Sequence, residues 1–95
     1  MAQITYFFLS KCIYCSKADR MIRLVKEKHP EFKAIKIQKI EESLKPEIAE
    51  QYDYQLVPCF FVGNKKIFEG APTEEKICEA FSEALKAENG LSNDF

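Results

Sequence analysis

Two cysteines separated by two residues, Cys12 and Cys15, are the feature of this sequence best suited to chemistry. Three positions make nearly one helical turn, so the two sulfurs can meet and close a small-ring disulfide. A thiolate at Cys12 can attack a disulfide, and Cys15 can then attack the mixed disulfide and release the reduced product. The spacing therefore indicates a dithiol oxidoreductase whose Cys12–Cys15 pair forms a redox-active disulfide.

The place of the pair in the chain predicts which thiol is activated. It lies between an apolar run at residues 4–9, typical of a strand buried on both faces, and the start of a helix. With Cys12 at the helix N-cap, the unpaired N–H groups of the first turn favour its thiolate. Lys11 beside it acts in the same direction. Cys12 is the predicted nucleophile, and Cys15, deeper in the helix, is the predicted resolving thiol.

A structural zinc site is the main alternative use of two cysteines at this spacing. Such a site needs four converging ligands. Cys59 and Cys78 are 19 positions apart, in a predicted strand and a predicted helix, and His29 is the single imidazole of the chain. We therefore predict no metal site, and we interpret Cys59 and Cys78 as small packing residues, although Cys59 follows Pro58 and a role near the motif stays open for it.

Apolar patterning predicts four strands and three helices. The strands are predicted at residues 4–9, 32–40, 59–62 and 65–69. The first helix follows the motif and ends near His29, because the next residue is a proline. The second is short and has Pro46 in its first turn. The third begins after Thr73 and ends near residues 89–90. Strand, helix and strand make a parallel, right-handed unit, and the turn Gly63-Asn64 makes a hairpin.

Length and charge restrict the classes of protein. The length of 95 residues predicts a single domain over residues 1–95, with a frayed tail at 91–95. The formal net charge of -1 argues against nucleic-acid binding. The apolar run at 4–9 is too short for a signal core or a membrane span. Four cysteines without an export signal are typical of a reducing compartment, and we expect a cytoplasmic protein that binds no membrane.

Pro58 lies at the entry to a predicted strand, where a trans proline would lose a ladder hydrogen bond. A cis Val57-Pro58 bond would avoid that loss and would leave the Val57 backbone free to pair with an extended substrate. Generic frequencies favour the trans form, since only about 5 to 6% of such bonds are cis. From the residues alone, both forms stay open.

The order of these elements, up to about Leu85, resembles that of the thioredoxin superfamily. Residues 46–52, Val57-Pro58, residues 63–65 and residues 70–73 look like thioredoxin, whereas the length and the Cys-x-Tyr-Cys motif look like glutaredoxin. The resemblance implies an α/β thioredoxin fold: a four-stranded mixed sheet of order 2-1-3-4 with three helices. It also implies a cis Val57-Pro58 loop facing the cysteines, with Cys12 as nucleophile and Cys15 as resolving thiol.

The sequence departs from both families at several positions. Ile13 stands where they usually have proline, and Lys11 stands where thioredoxins have tryptophan. Residues 4–9 lack the buried acid that accepts the proton of the second cysteine in thioredoxins, so Cys15 needs water or another base. Residues 70–73 lack the Gly-Gly-acid stretch with which glutaredoxins hold glutathione.

We predict a thiol-disulfide oxidoreductase acting on protein or glutathione mixed disulfides. The predicted substrate-binding residues are Lys11, Tyr14, Val57 and Pro58. Its predicted partners are a disulfide-containing protein or small thiol and a reductant of thioredoxin or glutathione type. We expect a monomer without a cofactor, with glutathione as a conceivable co-substrate. Two alternatives remain: an iron-sulfur or zinc carrier that uses Cys12, and a thioredoxin-fold binding module without redox activity.

Overall fold

The computed structural model describes residues 3–90, and the predicted tail at 91–95 lies outside them. The described chain forms one mixed sheet in the predicted strand order β2-β1-β3-β4. Its elements are β1 (Gln3–Phe8), α1 (Ile13–Lys28), β2 (Lys36–Glu41), α2 (Pro46–Ala49), β3 (Cys59–Val62), β4 (Lys65–Glu69) and α3 (Glu74–Gly90).

Strand register brings four chain segments to one end of the sheet, which we call the thiol end. Phe8, the last residue of β1, pairs with Glu41 in the parallel strand β2. Phe7 pairs with Cys59, the first residue of the antiparallel strand β3, and Cys59 pairs with Glu69 at the end of β4. The loop from β1 to α1 and the loop that enters β3 therefore meet at the thiol end.

One face of the sheet is covered by α1 and α3. The apolar stripe of α1 recurs at helical spacing, so one side of that helix can be buried while the other faces water. Thr73 caps α3, since its hydroxyl oxygen accepts the Lys76 N–H at 3.1 Å. The core between these helices and the sheet consists of aliphatic and aromatic side chains: Ile4, Tyr6, Ala18, Ile22, Val25, Phe32, Ile35, Phe60, Phe68, Ile77, Ala80, Phe81 and Ala84.

The other face is covered by the single turn of α2 and the loop after it. Its buried residues are Phe7, Ile40, Cys59 and Phe61. Two aromatic rings of the loop complete the packing: Tyr54 stacks on Phe7 at 4.7 Å, and Tyr52 meets the edge of Phe61 at 4.8 Å. The layer on this face buries little apolar surface, because its helix has only one turn.

The second strand begins later than predicted. Residues 30–32 form a 3₁₀ turn, and β2 starts at Lys36 rather than at residue 32. Phe32 and Ile35, the large apolar residues in the part of the predicted strand that is not a strand, are both buried in the core on the α1 side. Phe32 stacks on Phe81 of α3 at 5.2 Å, so its burial serves contact between helices and not strand pairing.

Candidate functional site

Cys12 occupies the N-cap of α1. Its backbone is extended (φ -112°, ψ 117°), and its carbonyl oxygen accepts the Ser16 N–H at 3.0 Å. The sulfur accepts the Cys15 N–H at 3.0 Å, so one of the unpaired donors of the first helical turn points at the thiol. This is the placement that the sequence predicts, and it favours negative charge on the sulfur.

Cys15 lies one turn farther into the helix and is only 3% exposed. Burial raises the pKa of the Cys15 thiol to about 12, and the hydrogen bond with Cys12 acts in the same direction. A hydrogen bond from the Leu9 backbone acts in the opposite direction. In the reduced pair, Cys12 is therefore the accessible sulfur, and Cys15 holds its proton.

A polar cluster that sequence reasoning missed lies behind the two thiols. The buried Tyr6 hydroxyl is 3.0 Å from the Cys15 carbonyl oxygen and 3.1 Å from Asp19 Oδ1. Lys39 Nζ on the neighbouring strand is 3.3 Å from the same Asp19 oxygen. Burial, and next the charge of Asp19, raises the pKa of Tyr6 well above its ordinary value. The four-residue spacing from Cys15 to Asp19 on one helix was the available signal.

The loop that enters β3 carries Val57-Pro58, and this bond is cis, as the resemblance implies. Pro58 is buried, and its carbonyl oxygen accepts the Gly70 N–H at 2.8 Å. Glu69 Oε1 accepts two backbone N–H groups of the same loop, from Gln55 at 2.8 Å and from Leu56 at 3.1 Å. These backbone bonds lower the pKa of Glu69 and fix the loop to the end of β4.

A second glutamate holds the loop that carries the motif. Glu41 Oε2 accepts the backbone N–H of Ser10 at 3.1 Å and its hydroxyl at 2.9 Å. The other carboxylate oxygen accepts the N–H of Ser43 at 2.7 Å and its hydroxyl at 2.6 Å. The Ser43 hydroxyl bond is the largest of the interactions that lower the pKa of Glu41 to about 2. The β1–α1 loop is thereby tied to the end of β2.

Two further predicted site residues lie beside Cys12, whereas the other two cysteines lie apart from the pair. Lys11 and Tyr14 lie exposed on either side of Cys12, and Lys17 Nζ sits 5.7 Å from the centre of the Tyr14 ring. Cys59 lies at the thiol end but is fully buried beside Phe7, which agrees with its interpretation as a small packing residue. Cys78 on α3 is half-buried, outside the cysteine pair.

The described residues hold no ready-made metal site. Within residues 3–90, no three His, Cys, Asp or Glu side chains come together as ligands. Over the same residues, no helix combines the length and apolar character needed to cross a membrane.

The sheet order, the cis-proline loop and the cysteine pair at the start of α1 define a thioredoxin fold. Solved structures share this fold. Thioredoxin 1 of Thermosipho africanus TCF52B matches with a TM-score of 0.64 and 20% identity, covering 92% of this chain and 98% of its own. An uncharacterised thioredoxin-like protein from Clostridium perfringens matches with a TM-score of 0.65 and 21% identity, covering 88% of this chain and 71% of its own.

A sequence relative agrees with the fold. The chain is 29% identical over 83 residues to a thioredoxin of Methanocaldococcus jannaschii. The aligned region covers 87% of this chain and 95% of the relative. No protein-family model matches the chain. The fold and this relative both support the resemblance to the thioredoxin superfamily that the sequence indicates. The likeness of its motif to glutaredoxin stays a prediction.

Proposed function

We propose that this protein is a thiol-disulfide oxidoreductase that reduces disulfides by a two-thiol cycle. The observation that carries the proposal is the hydrogen bond from the Cys15 N–H to Cys12 Sγ at the N-cap of α1. It gives one half-exposed sulfur a donor that stabilises its thiolate. The thioredoxin relative supports the same class of activity.

The cycle has two displacement steps. The Cys12 thiolate attacks one sulfur of the substrate disulfide, forms a mixed disulfide and releases the first substrate thiolate. Cys15 then loses its proton and attacks Cys12 Sγ, which releases the second substrate thiolate and closes the Cys12–Cys15 disulfide. Two electrons pass from the protein to the substrate. An external thiol reductant returns the disulfide to two thiols.

The surface around Cys12 suits an extended polypeptide. Three large apolar side chains are unusually exposed at the thiol end: Ile13 at 75% and Tyr14 at 48% in the first turn of α1, and Leu56 at 56% on the loop that enters β3. In our proposal they pack against the residues that flank the substrate disulfide. The Val57 backbone pairs with the substrate chain, and Lys11 attracts acidic groups near the disulfide.

The remaining parts of the proposal follow from the same cycle. The two thiols complete it without a bound cofactor, and the reductant is either a thioredoxin-reductase type of enzyme or glutathione. We propose a monomer that works in the cytoplasm, where a reducing pool keeps the pair as thiols. The equilibrium potential of the Cys12–Cys15 pair, measured against glutathione and a thioredoxin couple, distinguishes the two reductants.

Trapping the mixed disulfide tests the order of the two steps. Cys15→Ser protein incubated with a disulfide-containing polypeptide should accumulate a stable covalent complex through Cys12, detected by mass spectrometry after acid quenching. Cys12→Ser should form none, and Cys78→Ser, which alters a cysteine outside the pair, should turn over like the unaltered protein. Equal trapping by Cys12→Ser and Cys15→Ser would contradict the assignment of the nucleophile.

A further inference from the structure

Resolution of the mixed disulfide requires Cys15 to lose a proton inside the protein. The thiol is 3% exposed, so bulk water reaches it poorly. The Cys12 thiolate charge is lost once Cys12 is bonded to substrate, but burial, the first cause of the raised Cys15 pKa, persists. The second step of the proposed cycle therefore needs a proton acceptor close to Cys15.

Asp19 is the carboxylate whose charge acts on Cys15. It lies four residues farther along α1, and residues at this spacing are neighbours on one helix face. Its side chain is 35% exposed, so the carboxylate is in contact with solvent. A proton accepted there can pass on to water or to the departing substrate thiolate.

Two neighbouring strands hold this carboxylate in place. The Tyr6 hydroxyl from β1 and Lys39 Nζ from β2 both meet Asp19 Oδ1, at 3.1 Å and 3.3 Å. Tyr6 and Lys39 are paired in register in the sheet, and the Lys39 ammonium sits 5.4 Å from the centre of the Tyr6 ring. Both contacts use Oδ1, so neither occupies the second carboxylate oxygen.

Tyr6 also ties the acceptor to the thiol's own backbone. Its hydroxyl lies 3.0 Å from the Cys15 carbonyl oxygen, and the ring is fully buried and stacked on Phe60 at 4.5 Å. One rigid side chain therefore contacts both Cys15 and Asp19. This fixes the position of the carboxylate relative to the helical turn that bears the resolving thiol.

We propose that Asp19, positioned by Tyr6 and Lys39, accepts the Cys15 proton during resolution of the mixed disulfide. The proton passes directly or across one water, and the Cys15 thiolate then attacks Cys12 Sγ. The bond between Cys12 and the substrate sulfur breaks, and the departing thiolate takes up a proton from Asp19 or from solvent. The inference rests on the proposed two-thiol cycle and assigns its second proton transfer.

The groups that face this pair set its pH dependence. They are Cys12 on α1, Tyr6 on β1 and Lys39 on β2. The other helix packed on α1 is α3, and the ion pair between them, Lys28 Nζ to Glu74 Oε1 at 2.8 Å, lies at the far end of α1.

Stopped-flow kinetics with a symmetric nitrobenzoate disulfide separates the two steps, since each releases one coloured thiolate. The reagent is kept below the protein concentration, in a Cys78→Ser background. For Asp19→Asn we expect the second release to slow about 100-fold at pH 7, the scale of a lost general base, and the first to change less than about twofold. The second rate should also rise steeply with pH, whereas the unaltered protein gives a flatter profile.

A purely electrostatic role for Asp19 predicts the opposite change in the rate of the second release. Removing a negative charge that raises the pKa of Cys15 would ease ionisation and speed the second release. A second release that is faster or unchanged in Asp19→Asn therefore overturns the inference. Glu27→Gln, an exposed carboxylate farther along the same helix, is the matched control and should leave both rates unchanged. Absence of the first release in the unaltered protein would instead refute the two-thiol cycle itself.

Tyr6→Phe tests the positioning role. It removes the hydroxyl while keeping the ring, and we expect an intermediate slowing of the second release with a pH profile shifted toward that of Asp19→Asn. A folding defect would slow both releases at every pH, and circular dichroism of each variant identifies that case. Rates for Tyr6→Phe identical to those of the unaltered protein would remove Tyr6 from the proposal.

Discussion

Two loops meet at the thiol end of the sheet, and each leads to a cysteine and is held by a glutamate. The β1–α1 loop bears Cys12 and is tied down by Glu41; the loop that enters β3 leads to Cys59 and is tied down by Glu69. Cys12 sits at a helix N-cap with a backbone donor at its sulfur, whereas Cys59 is fully buried in a strand beside Phe7. The same residue type is thus the proposed nucleophile at one position and a core residue at the other, according to its backbone setting.

The largest expected contrast is in activity. Cys12→Ser should lower disulfide reductase turnover more than about 1000-fold, because the hydroxyl is not an effective nucleophile toward disulfides at neutral pH. Cys59→Ala should retain turnover within a few-fold of the unaltered protein. Reduction of a model polypeptide disulfide, followed by thiol release, measures both. Comparable losses in the two variants would erase the functional difference between the loops.

Chemical labelling gives the next contrast. Burial raises the pKa of the Cys59 thiol to about 12 and also blocks access to it, so it should react only when the structure opens. At pH near 6 we expect iodoacetamide to modify Cys12 at least about 100-fold faster than Cys59, given the preference of alkylation for accessible thiolates. Peptide mapping by mass spectrometry measures the two rates. Equal labelling of all four thiols would argue against an activated Cys12.

Stability should reverse the ranking of the two cysteines. Cys59→Ser places a hydroxyl in an apolar cluster and should lower the free energy of unfolding by about 1–3 kcal/mol, the cost of an unsatisfied buried polar group. Cys12→Ser should change it by less than about 0.5 kcal/mol, since serine is a favourable N-cap residue. Urea unfolding of the reduced proteins compares them. A greater loss for Cys12→Ser would mean that the N-cap sulfur is structural.

The smallest expected effect concerns acid. The pKa of Glu41 is lowered in the folded state from 4.5 to about 2, so its contribution to stability is complete above pH 4.5 and disappears as the pH falls from 4.5 toward 2. The pKa of Glu69 is also lowered, so its contribution to stability is likewise lost as the pH falls. Glu41→Gln should flatten the dependence of the urea midpoint on pH in that window. An unchanged slope in both Glu41→Gln and Glu69→Gln would show that neither carboxylate ties its loop.

The features predicted from sequence are those encoded in local spacing. The N-cap position of Cys12 follows from a strand, a short gap and a helical stripe. The parallel unit and the hairpin follow from local patterns in the same way, whereas the sheet order 2-1-3-4 came from the resemblance. The cis bond at Pro58 came from resemblance alone, because generic frequencies favour the trans form.

The missed features depend on contacts between distant segments. Tyr6, Asp19 and Lys39 converge only once β1 and β2 pair in a particular register, and no local pattern specifies that register. The roles of two glutamates were missed for the same reason: Glu41 accepts the Ser10 N–H of the β1–α1 loop, and Glu69 accepts two N–H groups of the loop that enters β3. The late start of β2 also depends on a distant contact, because Phe32 is buried against Phe81 of α3 and does not pair in the sheet.

The order of strands leaves β2 and β4 as the two borders of the sheet. Each border strand presents two exposed lysines, Lys36 and Lys39 on one and Lys65 and Lys66 on the other. Charged borders discourage the addition of foreign strands. The proposed substrate is an extended polypeptide with unpaired backbone, and these four ammonium groups disfavour its addition as a further strand at either border.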